Sequence, residues 1–332
     1  MPRVSVIVPA YNAAHTIGRA LESALVQTET SLEVVVIDDA STDTTASVVA
    51  QYAGRDPRVR LMSTGINAGP GGARNRAIAA AQGTWIALLD ADDSYARNRL
   101  EVLLVLAEQH NADLVSDNIL LCPDTGDEAP APMLPPDALP VPKLMTAAEF
   151  VLGNVGSRRA PRISYGFMQP MMRRDFLSKN AIRYDERNRF GEDYMLSLAC
   201  LRAGGRWWVT PEPLYHYSVR TGSLTEIQTS GDLLRISQFE ERLLGDRDLV
   251  TTDPEFARAL IRHKAKIDRC YYYRAFTDAV KACNLRKAAG LLFETTSGFR
   301  HITTESLNQL PVVAAKAARG GYFRRRSAQR AV

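Results

Sequence analysis

Cysteine is scarce in this chain, and its few copies are scattered. Cys122, Cys200, Cys270 and Cys283 lie far apart with no CxxC pair. That spacing argues against a zinc site or a disulfide framework and fits a reducing cytoplasm. Long apolar runs are missing as well, since no stretch approaches the roughly 18 consecutive apolar residues that cross a bilayer. The opening MPRVSVIVPAYN passes almost at once into a strand pattern. It lacks the apolar core and small-residue cleavage site of a signal peptide, so a protein kept inside the cell is expected. No internal repeat is visible. A strong charge bias is also lacking: the formal net charge is +4, too mild to point to nucleic acid. Only the last residues, YFRRRSAQRAV, are one-signed, with Arg324, Arg325, Arg326 and Arg330 and no acid. Such a segment is either a solvated end or a contact for anionic lipid headgroups.

What is present is an alternation of two periods. The 332 residues exceed what one core usually serves, so a main domain with a smaller appendage is expected. VSVIVPA and LEVVVIDDA are short, continuous, β-branched runs, the pattern of strands buried on both faces. RVRLMST, TWIALLDAD and ADLVSDNILLC continue the series. Helical spacing intervenes each time: in AAHTIGRALESALVQT through Ile17, Leu21, Ala24 and Leu25, then in STDTTASVVAQYA, GPGGARNRAIAAAQG and ARNRLEVLLVLAEQH. Strands alternating with helices predict an α/β fold with a mostly parallel central sheet between helices, Rossmann-like in its winding. Residues 123–142 hold seven prolines and four acids, which predicts a loop without regular structure. From about residue 225 the pattern is helical to the end, with EFARALIRHKAKIDRCYYYRAFTDAVKACN the longest segment.

Ligands of an open parallel sheet collect beyond the carboxyl ends of its strands. Three predicted ends carry unusual polar residues: PAYN (Pro9, Ala10, Tyr11, Asn12), DDAS (Asp38, Asp39, Ala40, Ser41) and DADD (Asp90, Ala91, Asp92, Asp93). Singly, each has a simpler explanation as a turn residue or helix cap. Together at one sheet edge they predict a site, and three close carboxylates call for a shared cation. Gly69, Gly71 and Gly72 before a helix imitate a dinucleotide loop. Arg74, however, fills the third glycine position, and the segment follows the third strand rather than the first. The segment therefore argues against a nicotinamide enzyme. Farther on, RFGEDYMLSLACLRAG sets Glu192 and Asp193 at the first turn of a mostly buried helix, where the positive helix end stabilises carboxylates.

In order and spacing, VSVIVPAYNAAHTIGRALESALVQT, VVVIDDASTDTT, GPGGARNRAI and WIALLDADD resemble the donor-binding half of family 2 glycosyltransferases, which have the GT-A fold. The resemblance covers roughly residues 3–220, and the nearest likeness is to bacterial enzymes that extend exopolysaccharide repeat units on a lipid carrier. It implies a domain over 1–224, with a nucleotide-sugar half at about 1–122 and an acceptor half at about 143–224. A helical region with a basic tail then covers 225–332. The implied donor is a UDP-sugar, UDP-glucose first, with UDP-galactose and UDP-GlcNAc next. The implied acceptor is a saccharide that can be lipid-linked, reached at the inner face of the membrane.

By the same resemblance, Pro9, Ala10, Tyr11, Asn12 and Asp39 hold the base. Asp90, Ala91 and Asp92 form the DxD motif, and Asp92 or Asp93 ligates Mg²⁺ or Mn²⁺, with Asp90 serving the ribose or a bound water. Carboxylates are hard oxygen ligands suited to either ion. Arg74 faces the donor, and His216 or Arg220 meets the diphosphate. Met168, Gln169 and Pro170 line the acceptor. Asp193 is the base and Glu192 touches a sugar. The helix end should lower the pKa of Asp193. An alternative is a noncatalytic nucleotide-sugar-binding or assembly subunit of the same fold; such a relative should have lost a metal or base carboxylate, and none is missing here.

Overall fold

The computed structural model describes residues 1–124, 129–155, 165–219 and 229–293, together with Thr303. The chain divides into two compact units: Met1–Ile227 with Asp246–Leu260, and Gln228–Gly245 with Ile261–Val332.

The first unit opens with the expected alternation: β1 (Val4–Ala10), α1 (Ile17–Leu25), β2 (Leu32–Asp38), α2 (Thr45–Arg55), β3 (Val59–Ser63), α3 (Gly69–Ala80) and β4 (Trp85–Leu88). All seven residues of β2 are buried, as a strand covered by helices on both faces requires. The α1 helix buries Ile17, Ala20, Leu21 and Ala24. Each large aliphatic side chain removed from water contributes about 1.5–3 kcal/mol. Strands β3, β2, β1 and β4 lie side by side in that order, all parallel. Right-handed helical crossovers then place the ends of β1, β2 and β4 on one edge.

The second half of this unit departs from the all-forward pattern. It contains β5 (Ser94–Tyr95), α4 (Arg99–His110), β6 (Leu114–Pro123), β7 (Ala131–Pro132), β8 (Lys143–Met145), α5 (Ala147–Gly153), β9 (Met171–Arg173), α6 (Arg174–Lys179), α7 (Glu192–Arg202) and β10 (Trp207–Val219). The sheet continues β4-β9-β6-β10-β5. The β9 strand runs antiparallel to both neighbours, and β5 antiparallel to β10, while β6 and β10 are parallel. Met171 and Met172 are fully buried in β9, filling the gap between β4 and β6 with flexible, apolar side chains. The proline-rich stretch is more ordered than its composition predicts. Its β7 pairs with β6, and Met133, Leu134 and Leu139 enter the core. Asn118 secures the turn, accepting from Leu134 N–H (3.0 Å) and donating to the Leu134 carbonyl (2.9 Å).

The remaining helices are α8 (Ser230–Leu244), α9 (Arg247–Thr252), α10 (Pro254–Lys281) and α11 (Leu285–Phe293). Within the second unit, Glu240 and His263 meet at 2.6 Å, both buried, and Ser237 bonds to Asp268 at 2.5 Å. Ala275 and Leu291 form a small core closed by Tyr271, Tyr272, Phe276 and Leu292. Two of the three consecutive tyrosines are thus packing residues. Among the described residues no helix is long and apolar enough to cross a membrane.

Candidate active site

The parallel register sets Ala10 beside Asp38, so the ends of β1 and β2 leave the sheet together. Both turn sharply. Asn12 and Ala40 have left-handed backbones with φ of 48° and 60°, a conformation asparagine tolerates better than most residues. The Asn12 side-chain Oδ1 accepts from Thr42 N–H at 2.8 Å, and Asn12 N–H donates to the Ser41 hydroxyl at 3.0 Å. Pro9 and Ala10 are the last ladder residues, whereas Tyr11 is 52% exposed. Asp39 is buried, and its two oxygens accept from Ala68 N–H and Gly69 N–H, each at 2.8 Å. Its carboxylate therefore satisfies the open N–H groups at the start of α3 and complements the helix dipole.

Arg74 is the hub of the acid cluster. It lies on α3 with its side chain 4% exposed, although the sequence resemblance has it facing the donor. Nη2 donates to Asp90 Oδ1 at 2.7 Å, and Nη1 lies 3.0 Å from Glu192 Oε1 and 3.2 Å from Asp193 Oδ1. Burial alone would lower the pKa of Arg74; Asp193, Asp90, Tyr184 and Glu192 override it and hold the guanidinium firmly cationic. The close fit of α3 has a steric reason. A Cβ on Gly71 would lie 3.2 Å from the Tyr184 Cβ, and the Tyr184 ring lies under the guanidinium at 5.4 Å. The glycine-rich turn thus brings an arginine helix against a tyrosine rather than cradling a dinucleotide.

Asp193 sits in the first turn of α7, behind Gly191 at φ 74°, a left-handed value that suits glycine. The Tyr184 hydroxyl donates to its Oδ1 at 3.0 Å. The expected lowering of its pKa is overturned. Burial is the largest effect and pushes it up to about 7, with Arg74 opposing and Glu192 and Asp90 adding to the rise. Helix-end stabilisation is outweighed first by desolvation and then by two neighbouring anions that share one cation. The side chain keeps 17% exposure, so solvent still reaches it.

The DADD residues separate into three environments. Asp90 is held from both sides, by Arg74 on Oδ1 and by Gln169 Nε2 on Oδ2 at 3.1 Å. Asp93 is 1% exposed. Its Oδ2 accepts from the Tyr215 hydroxyl and its Oδ1 from Ser218 N–H, both at 2.8 Å. Burial, then Asp90 and Asp92, lift the pKa of Asp93 well above the carboxylate range. Both Asp93 oxygens are thus engaged by protein donors. Asp92 is half-buried; its carbonyl accepts from the Ser218 hydroxyl at 2.6 Å and from Arg19.

No group of three His, Cys, Asp or Glu side chains among the described residues is set to enclose a metal. The donor chemistry fits a cation that takes a carboxylate oxygen from Asp92 and most of its shell from elsewhere.

Gln169 meets Asp90, while Met168 is buried against the Ser116 hydroxyl. His216 pairs with Ser94 in the sheet. Burial lowers its pKa, with Asp117 raising and Arg99 lowering it, which places its electrostatic surroundings at that ion pair. Arg220 lies outside the described residues. The sequence reading missed Tyr184, Tyr215, Ser218 and Arg19. Strand alternation offered one signal: in LYHYSV, Tyr215 and Tyr217 face opposite to His216, and Tyr215 is the one aimed at the acids.

Comparison with known proteins agrees with this geometry. Residues 5–177, more than half of the chain, match the family model Glycosyl transferase family 2. Among curated relatives, the succinoglycan biosynthesis protein ExoO of Rhizobium meliloti (strain 1021) is 39% identical over 74% of this chain and 67% of its own length. ExoU of the same organism is 37% identical over 86% and 82%. A UDP-Glc:alpha-D-GlcNAc-diphosphoundecaprenol beta-1,3-glucosyltransferase of Escherichia coli, WfgD, is 38% identical over 35% of this chain and 45% of its own. Among solved structures, S. aureus TarS 1–349 with UDP-GlcNAc superposes with a TM-score of 0.61 at 22% identity, covering 91% of this chain and 78% of that one. A mannosyltransferase from Pyrobaculum calidifontis with GDP-Man and Mn²⁺ gives 0.57 at 20% identity, covering 92% and 84%. The ordered strand-end motifs, the mixed sheet and the matched segment coincide, and the chain belongs to glycosyltransferase family 2, with the GT-A fold.

Proposed function

We propose that this chain is an inverting, metal-dependent hexosyltransferase of exopolysaccharide synthesis. It moves a sugar from a UDP-sugar, UDP-glucose first, to a lipid-linked saccharide. The observation that carries the reading is that one guanidinium, Arg74, joins Asp90 of the donor motif to Asp193 at the start of α7. A donor-side acid and a base candidate therefore share one site.

The exposed Tyr11 ring is suited to lie against the base, and Asp39 keeps lone pairs beyond its two main-chain bonds for an imide N–H. Asp92 would hold Mg²⁺ or Mn²⁺ with the diphosphate, and the cation would offset charge on the departing nucleotide. Asp193 accepts the proton of the acceptor hydroxyl as that oxygen attacks the anomeric carbon from the face opposite the leaving group. Both described contacts of Asp193 use Oδ1, which leaves Oδ2 for the hydroxyl. A pKa of about 7 suits a base at neutral pH. One displacement inverts configuration, so an α-linked donor gives a β-glycoside. Glu192, tied to Arg74, is placed to meet a sugar hydroxyl.

The lipid-linked acceptor and the work at the inner face of the membrane are supported by two things. For the acceptor it is the diphosphoundecaprenol-linked substrate of WfgD. For the membrane it is charge: residues 281–332 hold ten Lys and Arg against two Glu, with Leu285 and Phe293 of α11 73% and 80% exposed. A basic sequence region that also carries exposed apolar residues attracts an anionic bilayer. The decisive experiment is donor hydrolysis across a panel of nucleotide sugars, with and without Mn²⁺, beside Asp193→Asn. Retained turnover in that variant removes Asp193 as the base. Equal flotation with neutral and anionic vesicles removes the membrane contact.

A further inference from the structure

Arg99 and Asp117 form an ion pair with both side chains 0% exposed and 2.8 Å between them. A pair this deep is seldom a net source of stability, because its desolvation cost is comparable to its attraction. Its other contacts give it another use. Arg99 Nη2 donates to the main-chain oxygen of Gln169 at 2.9 Å. Gln169 is 3% exposed and has a left-handed backbone at φ 40°, a conformation that costs a non-glycine residue free energy and persists where its surroundings enforce it. The side-chain amide of the same residue reaches Asp90 Oδ2 at 3.1 Å.

The other half of the pair leads to the same place. Asp117 Oδ2 accepts from Leu214 N–H at 3.1 Å, one residue before Tyr215. Tyr215 donates to Asp93 and accepts from Asp90 N–H at 3.2 Å. The Arg99 guanidinium also lies over the rings of Tyr95 and Tyr215, at 4.3 and 5.1 Å. The pair thus grips the segments before β9 and within β10, and both hold the DADD turn.

We propose that Gln169 is a positioning residue for the donor site, locked by the Arg99–Asp117 pair, and that it sets the orientation of Asp90 opposite Arg74. The inference rests on the glycosyltransferase reading, because the role of Asp90 comes from it. Gln169 acts through Asp90; its Nε2 fixes the second oxygen of a carboxylate whose first is fixed by Arg74. With both oxygens restrained, Asp90 presents one geometry to an incoming nucleotide diphosphate, and less ordering is needed on binding.

The test uses the full chain, UDP with Mn²⁺ as the probe, titration calorimetry, and donor kinetics on the nucleotide sugar that the panel selects. Gln169→Leu keeps the volume and removes the amide. It is expected to melt within a few degrees of the parent, to bind Mn²⁺–UDP about tenfold more weakly, the loss of one hydrogen bond to a charged group, and to raise KM more than it lowers kcat. Arg99→Met with Asp117→Leu, an apolar replacement of the pair, is expected to show the same split, and Gln169→Asn to restore little, being too short. A folded Gln169→Leu that binds Mn²⁺–UDP as the parent does overturns the proposal. If the double replacement does not fold, Gln169→Leu decides alone. A parent chain that binds no nucleotide diphosphate overturns the functional reading, and this inference with it.

Discussion

Two buried arginines brace the same acid cluster and do opposite things. Arg99 meets one carboxylate, Asp117, so the pair is neutral and closed, with both side chains fully buried. Arg74 meets three, Asp90, Glu192 and Asp193, and Asp90 keeps 26% exposure. One cation among three anions leaves negative charge that only a proton or another cation can offset. The pKa of Asp193, lifted by burial and further by Glu192 and Asp90, favours the proton answer, and a divalent ion beside Asp92 would be the cation answer. A balanced pair is scaffold. An unbalanced one is where chemistry collects.

The largest effect expected from breaking this contrast is on the unbalanced side. Asp193→Asn should lower sugar transfer by about 10²–10⁴-fold, the range of a lost general base, with the melting temperature preserved. Next is Arg74→Met, which leaves three carboxylates without their cation. Removing one member of a buried pair costs about 3–5 kcal/mol, so chemical denaturation should show a loss of that size, and transfer should fail with it.

A smaller effect is carried by pH. Because burial lifts the pKa of Asp193 to about 7, the base form is lost as pH falls below 7. Transfer by the parent chain should drop about tenfold for each unit below that value, measured as kcat against pH. The smallest effect is expected at Asp93. Its carboxyl is already driven toward the neutral form by burial, so Asp93→Asn, nearly isosteric and neutral, should keep transfer within about threefold. Asp92→Asn should instead abolish any response to Mn²⁺. If Asp93→Asn lost the metal response and Asp92→Asn kept it, the roles of the two residues would be reversed.

Much of this frame was legible in the residues. VSVIVPA and LEVVVIDDA are continuous β-branched runs, and such runs need cover on both faces, which dictates helices between parallel strands. The reversed β9 was not legible, because MMR is three residues long and its direction is imposed by β4 and β6 on either side. The order in residues 130–142 was hidden by proline, whose apolar neighbours Met133, Leu134 and Leu139 nonetheless have a core to enter. At the site, the acids announced themselves as a cluster, but their partners did not. Tyr184 sits in IRYDER and Arg19 in IGRAL, contexts that read as ordinary surface chain.

The sequence by itself determined that carboxylates would gather at one sheet edge, because strand ends in a parallel sheet share that edge wherever they fall in the chain. Only the tertiary structure decided which partners those carboxylates take. Asp93 accepts a hydrogen bond from a tyrosine 122 positions away, and Asp90 is joined to Glu192 and Asp193 through a guanidinium 118 positions from Glu192. Charge state in a buried cluster depends on distances between side chains, and those distances exist only once the chain has closed on itself.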